Sequence, residues 1–103
     1  VQNQNDTISA HHLMISLINF KKLRINKDQF IKMLINKGIY PQYHYIPIYR
    51  FSYYKRLKDR YKFKNSESYY NSALSLPLYY NLSEKNFIKI IQTIKKIIKK
   101  HAI

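Results

Sequence analysis

A chain of 103 residues, 46% of them hydrophobic, is long enough for one globular domain with a modest core and too apolar for disorder. It has no cysteine, which excludes disulfides, thiolate nucleophiles and cysteine-bound zinc, and no apolar run approaches the roughly 20 residues that cross a bilayer. The formal net charge of +14 points either to a polyanionic partner or to a compositional bias that raises Lys, Ile, Asn and Tyr together, and the scarcity of Gly and Ala beside those four favours the bias.

The chain opens at Val1 rather than Met, which raises the expectation of a fragment or a processed product. No basic-then-apolar leader is visible, so a cytoplasmic setting is expected. Residues 1–9 are polar and read as a tail or the remnant of an interdomain connection, with one domain over 10–103. The run His12-Leu13-Met14-Ile15-Ser16-Leu17-Ile18 is short and β-branched, and predicts a buried strand. Asn26 followed by Gln29 predicts a capping box, and Gly38 a left-handed stop, so a helix spans 27–37 with Phe30, Ile31, Met33, Leu34 and Ile35 as its apolar stripe. Residues 39–45 predict a second strand, which Pro41 and Pro47 confine to an edge or cut short. A short helix with a loop is expected over 50–61, and another short helix capped by Asn65 or Ser66. An extended piece follows over 74–79. Ser83 and Glu84 open the final helix, whose Phe87, Ile90, Ile91, Ile94, Ile97 and Ile98 keep helical spacing while lysines fill the other faces. The order predicts an α+β fold: a small, largely antiparallel sheet with helices packed on one face.

The chemistry of a self-sufficient enzyme is missing from these residues. The five acidic residues are scattered, and a single glycine leaves no phosphate-cradling loop and no dinucleotide fingerprint. His11, His12, His44 and His101 lack metal-ligand spacing, and neighbours such as His11 and His12 point to opposite sides of a strand. The aromatic and basic stretch 49–64 and the terminal lysines have the ingredients for binding single-stranded nucleic acid, but neither an RNA-recognition sheet signature nor a GxxG clamp is present. Packed tyrosines and solvated lysines explain it as well.

One stretch is more specific. Lys37-Gly38-Ile39-Tyr40-Pro41-Gln42-Tyr43-His44-Tyr45-Ile46-Pro47-Ile48-Tyr49, followed by Tyr53-Tyr54, resembles the signature of the C-terminal domain of the DegT/StrS family of sugar aminotransferases, a helix ending in KGI, a strand ending in HYxP and then an xYY loop. Asn65-Ser66-Glu67 and Leu74-Ser75-Leu76-Pro77-Leu78-Tyr79 resemble the family's aE…LSLPLY segment, and His12-Leu13 its HLY start, in the same order. Two positions depart: Tyr80 stands where a proline is usual, and His11 where an aromatic is. The Gln42-x-His44-Tyr45-Ile46-Pro47 wording looks most like the branch of pseudaminic-acid synthesis. The resemblance implies the small domain of a fold-type I enzyme that passes an amino group from glutamate, through pyridoxal phosphate, to a keto-sugar nucleotide; because the family's Schiff-base lysine lies in its larger N-terminal domain, this chain alone is expected to be inactive. By the same resemblance no lysine of this chain is catalytic, the chain alone binds no cofactor, and its partners are a UDP-linked sugar nucleotide, the enzyme's own large domain and a second subunit, with no specific nucleic acid and no membrane. His44, Tyr45 and Tyr49 match the positions facing the sugar-nucleotide pocket, Tyr49 where many members have His; Gly38 and Pro47 match structural positions. A small basic nucleic-acid-binding module, or a truncated gene product without function, is the alternative to this reading.

Overall fold

The computed structural model describes residues 5–56 and 63–103. Residues 5–13 carry no regular element, and Ile8 within them is fully exposed. Strand β1 (Met14–Leu17) pairs antiparallel with β2 (Ala73–Leu76) in the register Met14↔Leu76, Ile15↔Ser75, Ser16↔Leu74 and Leu17↔Ala73. All four β2 residues are buried, as expected of an unalternating Ala-Leu-Ser-Leu run covered on both faces. β1 itself is only half-buried, less enclosed than its sequence predicts.

The expected strand over 39–45 is reduced to one bridge, in which Gln42 and Ser75 exchange both backbone hydrogen bonds at 2.9 Å. The reason lies in the register. The next hydrogen-bonded pair toward the N-terminal side would join Tyr40 to Pro77, and proline has no N–H to donate. β2 is nevertheless held on both edges, by β1 and by Gln42.

Helix α1 (Lys27–Ile35) starts as the sequence requires. The Asn26 side chain accepts from the Gln29 N–H at 2.9 Å, and the Gln29 side chain accepts from the Asn26 N–H at the same distance. Its end is a Schellman arrangement: the Gly38 N–H donates to the Ile35 carbonyl and the Ile39 N–H to the Leu34 carbonyl, with Gly38 at φ 73°. A Cβ placed on Gly38 would meet nothing within 4 Å, so only the backbone conformation resists substitution there. Gly38→Ala should therefore cost about 1–2 kcal/mol, the left-handed penalty of an L-residue, read as a lower urea midpoint at unchanged slope.

Of the short helix with a loop expected over 50–61, the start is two 3₁₀ turns, Ile48–Arg50 and Ser52–Tyr54, residues 55 and 56 are helical, and the part over 57–61 lies outside the described residues. Helix α2 (Lys64–Ser72) begins two or three residues earlier than an Asn65 or Ser66 cap would allow, so both residues sit inside its first turn and Phe63 occupies the cap without a side-chain bond. α2 runs straight into β2. Helix α3 (Glu84–His101) is capped by the Ser83 hydroxyl, which accepts from the Asn86 N–H at 3.2 Å. Its far end is tied back, the Arg24 N–H donating to the His101 carbonyl and the Ile103 N–H to the Lys22 carbonyl.

The core is shared by α1 (Phe30, Ile31, Leu34), β2 (Leu74, Leu76), Ile90 of α3, and Ile18, Leu23, Ile25 and Ile39 from the connections. The fold is α+β, with a small antiparallel sheet. The lysines of α3 (Lys85, Lys89, Lys95, Lys96, Lys99 and Lys100) are all exposed. No helix among the described residues is long and apolar enough to cross a membrane.

Candidate functional site

The Gln42–Ser75 bridge delivers the following residues to a defined place. Two residues on, the half-buried His44 turns its Nδ1 to the Ser75 Oγ at 2.7 Å. Ser75 is itself 5% exposed, so the contact fixes the imidazole from beneath. Around it opens a cleft of about 260 Å³, lined by His12 and Leu13 ahead of β1, by Tyr40, Gln42 and His44, and by the run from Ser75 to Tyr79. No Lys, Arg, Asp or Glu is among these lining residues.

Tyr45 faces the other way. Its ring stands edge-on to His44 with centroids 4.6 Å apart, is 74% exposed, and lines a second groove of about 580 Å³ together with Pro47, Ile48 and Tyr49 and the start of α2. Tyr49 is 5% exposed and lies flat on Phe63, centroids 4.5 Å apart at 10°. Its hydroxyl is buried without a hydrogen bond of good geometry among the described residues, and burial, followed by the nearby Glu67 carboxylate, pushes the phenol above its ordinary value. Of the three residues expected to face a ligand, His44 is therefore in one cleft, while Tyr45 and Tyr49 share another.

A chain of charge and ring contacts ties this region to α1. Arg50 grips Glu67 through both carboxylate oxygens and lies 4.6 Å over the Tyr70 ring. The Lys27 ammonium sits over Tyr70 and Tyr43, at 4.7 and 4.4 Å from the ring centroids, and donates to the Tyr70 carbonyl. Burial holds Lys27 below its ordinary value, partly offset by Asp28. Burial, with the hydrogen bond donated to Asp28 at 3.0 Å, pushes the Tyr43 phenol up to about 12. A further hollow of about 840 Å³ lies between the end of β1 and α2, and contains Tyr49 but neither His44 nor Tyr45. Among the described residues no group of three or more His, Cys, Asp or Glu is placed to hold a metal ion.

Sequence reasoning missed Ser75, His12, Gln42 and Tyr79 as neighbours of His44. Ser75 and His12 stand inside recognisable motifs, but nothing local says that 12, 44 and 75 meet. Only the strand pairing does.

A model of the DegT/DnrJ/EryC1/StrS aminotransferase family matches residues 1–95. The UDP-4-amino-4,6-dideoxy-N-acetyl-beta-L-altrosamine transaminase of Campylobacter jejuni is 34% identical over 95 residues, covering 85% of this chain and 25% of that protein. The spore coat polysaccharide biosynthesis protein SpsC of Bacillus subtilis is 30% identical over 99 residues, 92% of this chain and 25% of its own length. Among solved structures, Helicobacter pylori PseC, an aminotransferase involved in the biosynthesis of pseudoaminic acid, superimposes with a TM-score of 0.79 at 29% identity over 89% of this chain and 24% of that one. A Streptococcus pneumoniae structure described as a sugar aminotransferase in its PMP form gives 0.73 at 26% identity, over 89% of this chain and 23% of that one. The chain spans about a quarter of the length of the relatives it matches.

Proposed function

The chain belongs to the DegT/DnrJ/EryC1/StrS aminotransferase family, and we propose that residues 10–103 are the C-terminal small domain of a cytoplasmic enzyme that moves an amino group from glutamate to a UDP-linked keto sugar. The observation that carries this reading is the superposition on PseC over 89% of the chain, beside 34% identity to a transaminase acting on such a sugar nucleotide. The product would feed nonulosonic-acid or surface-polysaccharide synthesis.

Pyridoxal phosphate supplies the electron sink for amino transfer in enzymes of this kind. The residues present do not fit it. Lys27, whose ammonium burial holds below its ordinary value, is committed to two ring faces and the Tyr70 carbonyl. Glu67, the carboxylate in the hollow of about 840 Å³, is gripped by Arg50. In this reading the large domain holds the cofactor, and the small domain closes over the sugar nucleotide with His44, Tyr45 and Tyr49. The exposed Tyr40, Tyr45, Ile46, Ile48, Phe51 and Tyr53 support such a role, because large apolar side chains left in water are what a covering domain or second subunit of a homodimer would bury.

Protein captured from the source cells with an antibody raised against this chain should transfer the amino group of glutamate to a UDP-linked keto sugar and carry the absorbance of bound pyridoxal phosphate. Captured protein lacking both would overturn the assignment. In that enzyme His44→Ala should lower kcat/KM for the sugar nucleotide by about tenfold, the worth of one hydrogen bond to a ligand lost from a preformed site, while cofactor absorbance stays. Unchanged turnover would remove His44 from the site.

A further inference from the structure

We infer that the lysine face of helix α3, extended by Lys22 and Arg24, docks the protein peripherally on an anionic phospholipid surface. The inference goes beyond the family resemblance, which implies no membrane partner, and it does not rest on the amino-transfer reading.

The face is a single stripe. At 3.6 residues per turn, Lys85, Lys89, Lys96, Lys99 and Lys100 fall within an arc of about 100°, with Lys95 at its edge, over a length of about 22 Å. All of them are exposed. Tertiary structure lengthens the stripe: Leu23 bridges Ala102, and the backbone bonds on either side tie Arg24 to His101 and Lys22 to Ile103. Leu23 is buried, so its exposed neighbours Lys22 and Arg24 turn outward beside the end of α3. None of these cations is in an ion pair among the described residues, and Glu84 is the one acidic residue of the helix.

Neither composition nor helix stability accounts for it. A bias toward lysine fills solvated faces alike, yet α1 exposes only Lys32 of its lysines and α2 only Lys64, each over 9 residues, against six on the 18 residues of α3. The helix dipole favours cations in the last turn, which leaves Lys85 and Lys89 at the wrong end. Like charges four residues apart (Lys85 with Lys89, Lys95 with Lys99, Lys96 with Lys100) weaken a helix. Such pairs stand about 6 Å apart along the axis, inside the roughly 8 Å screening length at physiological salt, so they act together on a sheet of anions.

A phospholipid surface fits this stripe better than a nucleic acid does. Clustered lysines on one side of an amphipathic helix suit anionic headgroups. The rest of the stripe is Ile88 and Gln92, which offer no ring to stack a base and no guanidinium to fork a phosphate. Ile88 is 44% exposed, and Ile103, bonded to Lys22 at the other end, is 81% exposed. Apolar side chains so placed can enter the headgroup region while the lysines stay in water.

The test is co-sedimentation, at physiological salt, with vesicles one-third phosphatidylglycerol and two-thirds phosphatidylcholine, beside vesicles of phosphatidylcholine alone. This chain, and the protein captured whole from the source cells, should pellet with the charged vesicles and not with the neutral ones. Each lysine near such a surface is worth about fivefold in partition, so Lys96→Gln, Lys99→Gln and Lys100→Gln together should lower it about 100-fold. Lys32→Gln, Lys55→Gln and Lys64→Gln remove the same charge elsewhere and should lower it less than about fivefold, with circular dichroism showing both triple variants folded. Equal losses from the two triples would overturn the proposal, since net charge alone would then do the binding. Tighter binding to duplex DNA than to the charged vesicles at the same salt would overturn it in favour of a nucleic acid. Whole protein left in the supernatant while this chain pellets would overturn it too, because the face would then be covered. A captured protein that pellets but lacks amino transfer would sink the functional reading alone; an active enzyme indifferent to charged vesicles would sink this one alone.

Discussion

Phe30→Ala should destabilise the chain by about 3–5 kcal/mol, the cost of emptying an aromatic site in a closed core. Phe30 is 0% exposed and meets Phe20 edge-on at 5.5 Å, and it joins α1 to the same cluster as Leu74 of β2 and Ile90 of α3. A domain of this size is stable by only about 5–15 kcal/mol, so the substitution removes a large part of the margin. Urea titration followed by circular dichroism should show the midpoint falling at nearly constant slope. Tyr53→Ala is the control. That ring is 77% exposed, and its loss should change stability by no more than about 0.5 kcal/mol. Equal losses from the two substitutions would mean that α1 does not pack on the sheet as described.

Tyr49 separates packing from ligand contact. Tyr49→Ala should lower Tm by about 10 °C or more, because a buried ring stacked on Phe63 leaves a cavity that the short 3₁₀ turn cannot collapse to fill. Tyr49→Phe keeps the ring and removes only the buried hydroxyl beside Glu67, so Tm should fall by no more than a few degrees. Activity of Tyr49→Phe in the full enzyme then reads the hydroxyl alone. Turnover that falls while Tm holds places the oxygen on the ligand; turnover that holds assigns Tyr49 to packing.

The sequence by itself determined the elements whose signals are local. The Asn26–Gln29 capping box, the Gly38 stop and the Ser83 cap each act over three to five residues, and each is in place in the fold. The apolar spacing of α3 likewise puts Ile90 in the core and the lysines in water. The α2 start was misjudged because Asn65 and Ser66 look like caps wherever they stand, and only the packing of Phe63 on Tyr49 shows that the helix has already begun. Tertiary structure alone decided the sheet and the cleft. Strand pairing is non-local: β1 and β2 lie far apart in the chain, and the missing donor of Pro77 limits the Gln42 segment to one bridge. That same bridge brings His44 onto Ser75 and opens the cleft toward His12, a meeting of residues that no periodicity or cap encodes. Local hydrogen bonds are legible from neighbouring letters, and a site assembled across a sheet is not, because its geometry exists only once the strands have found their register.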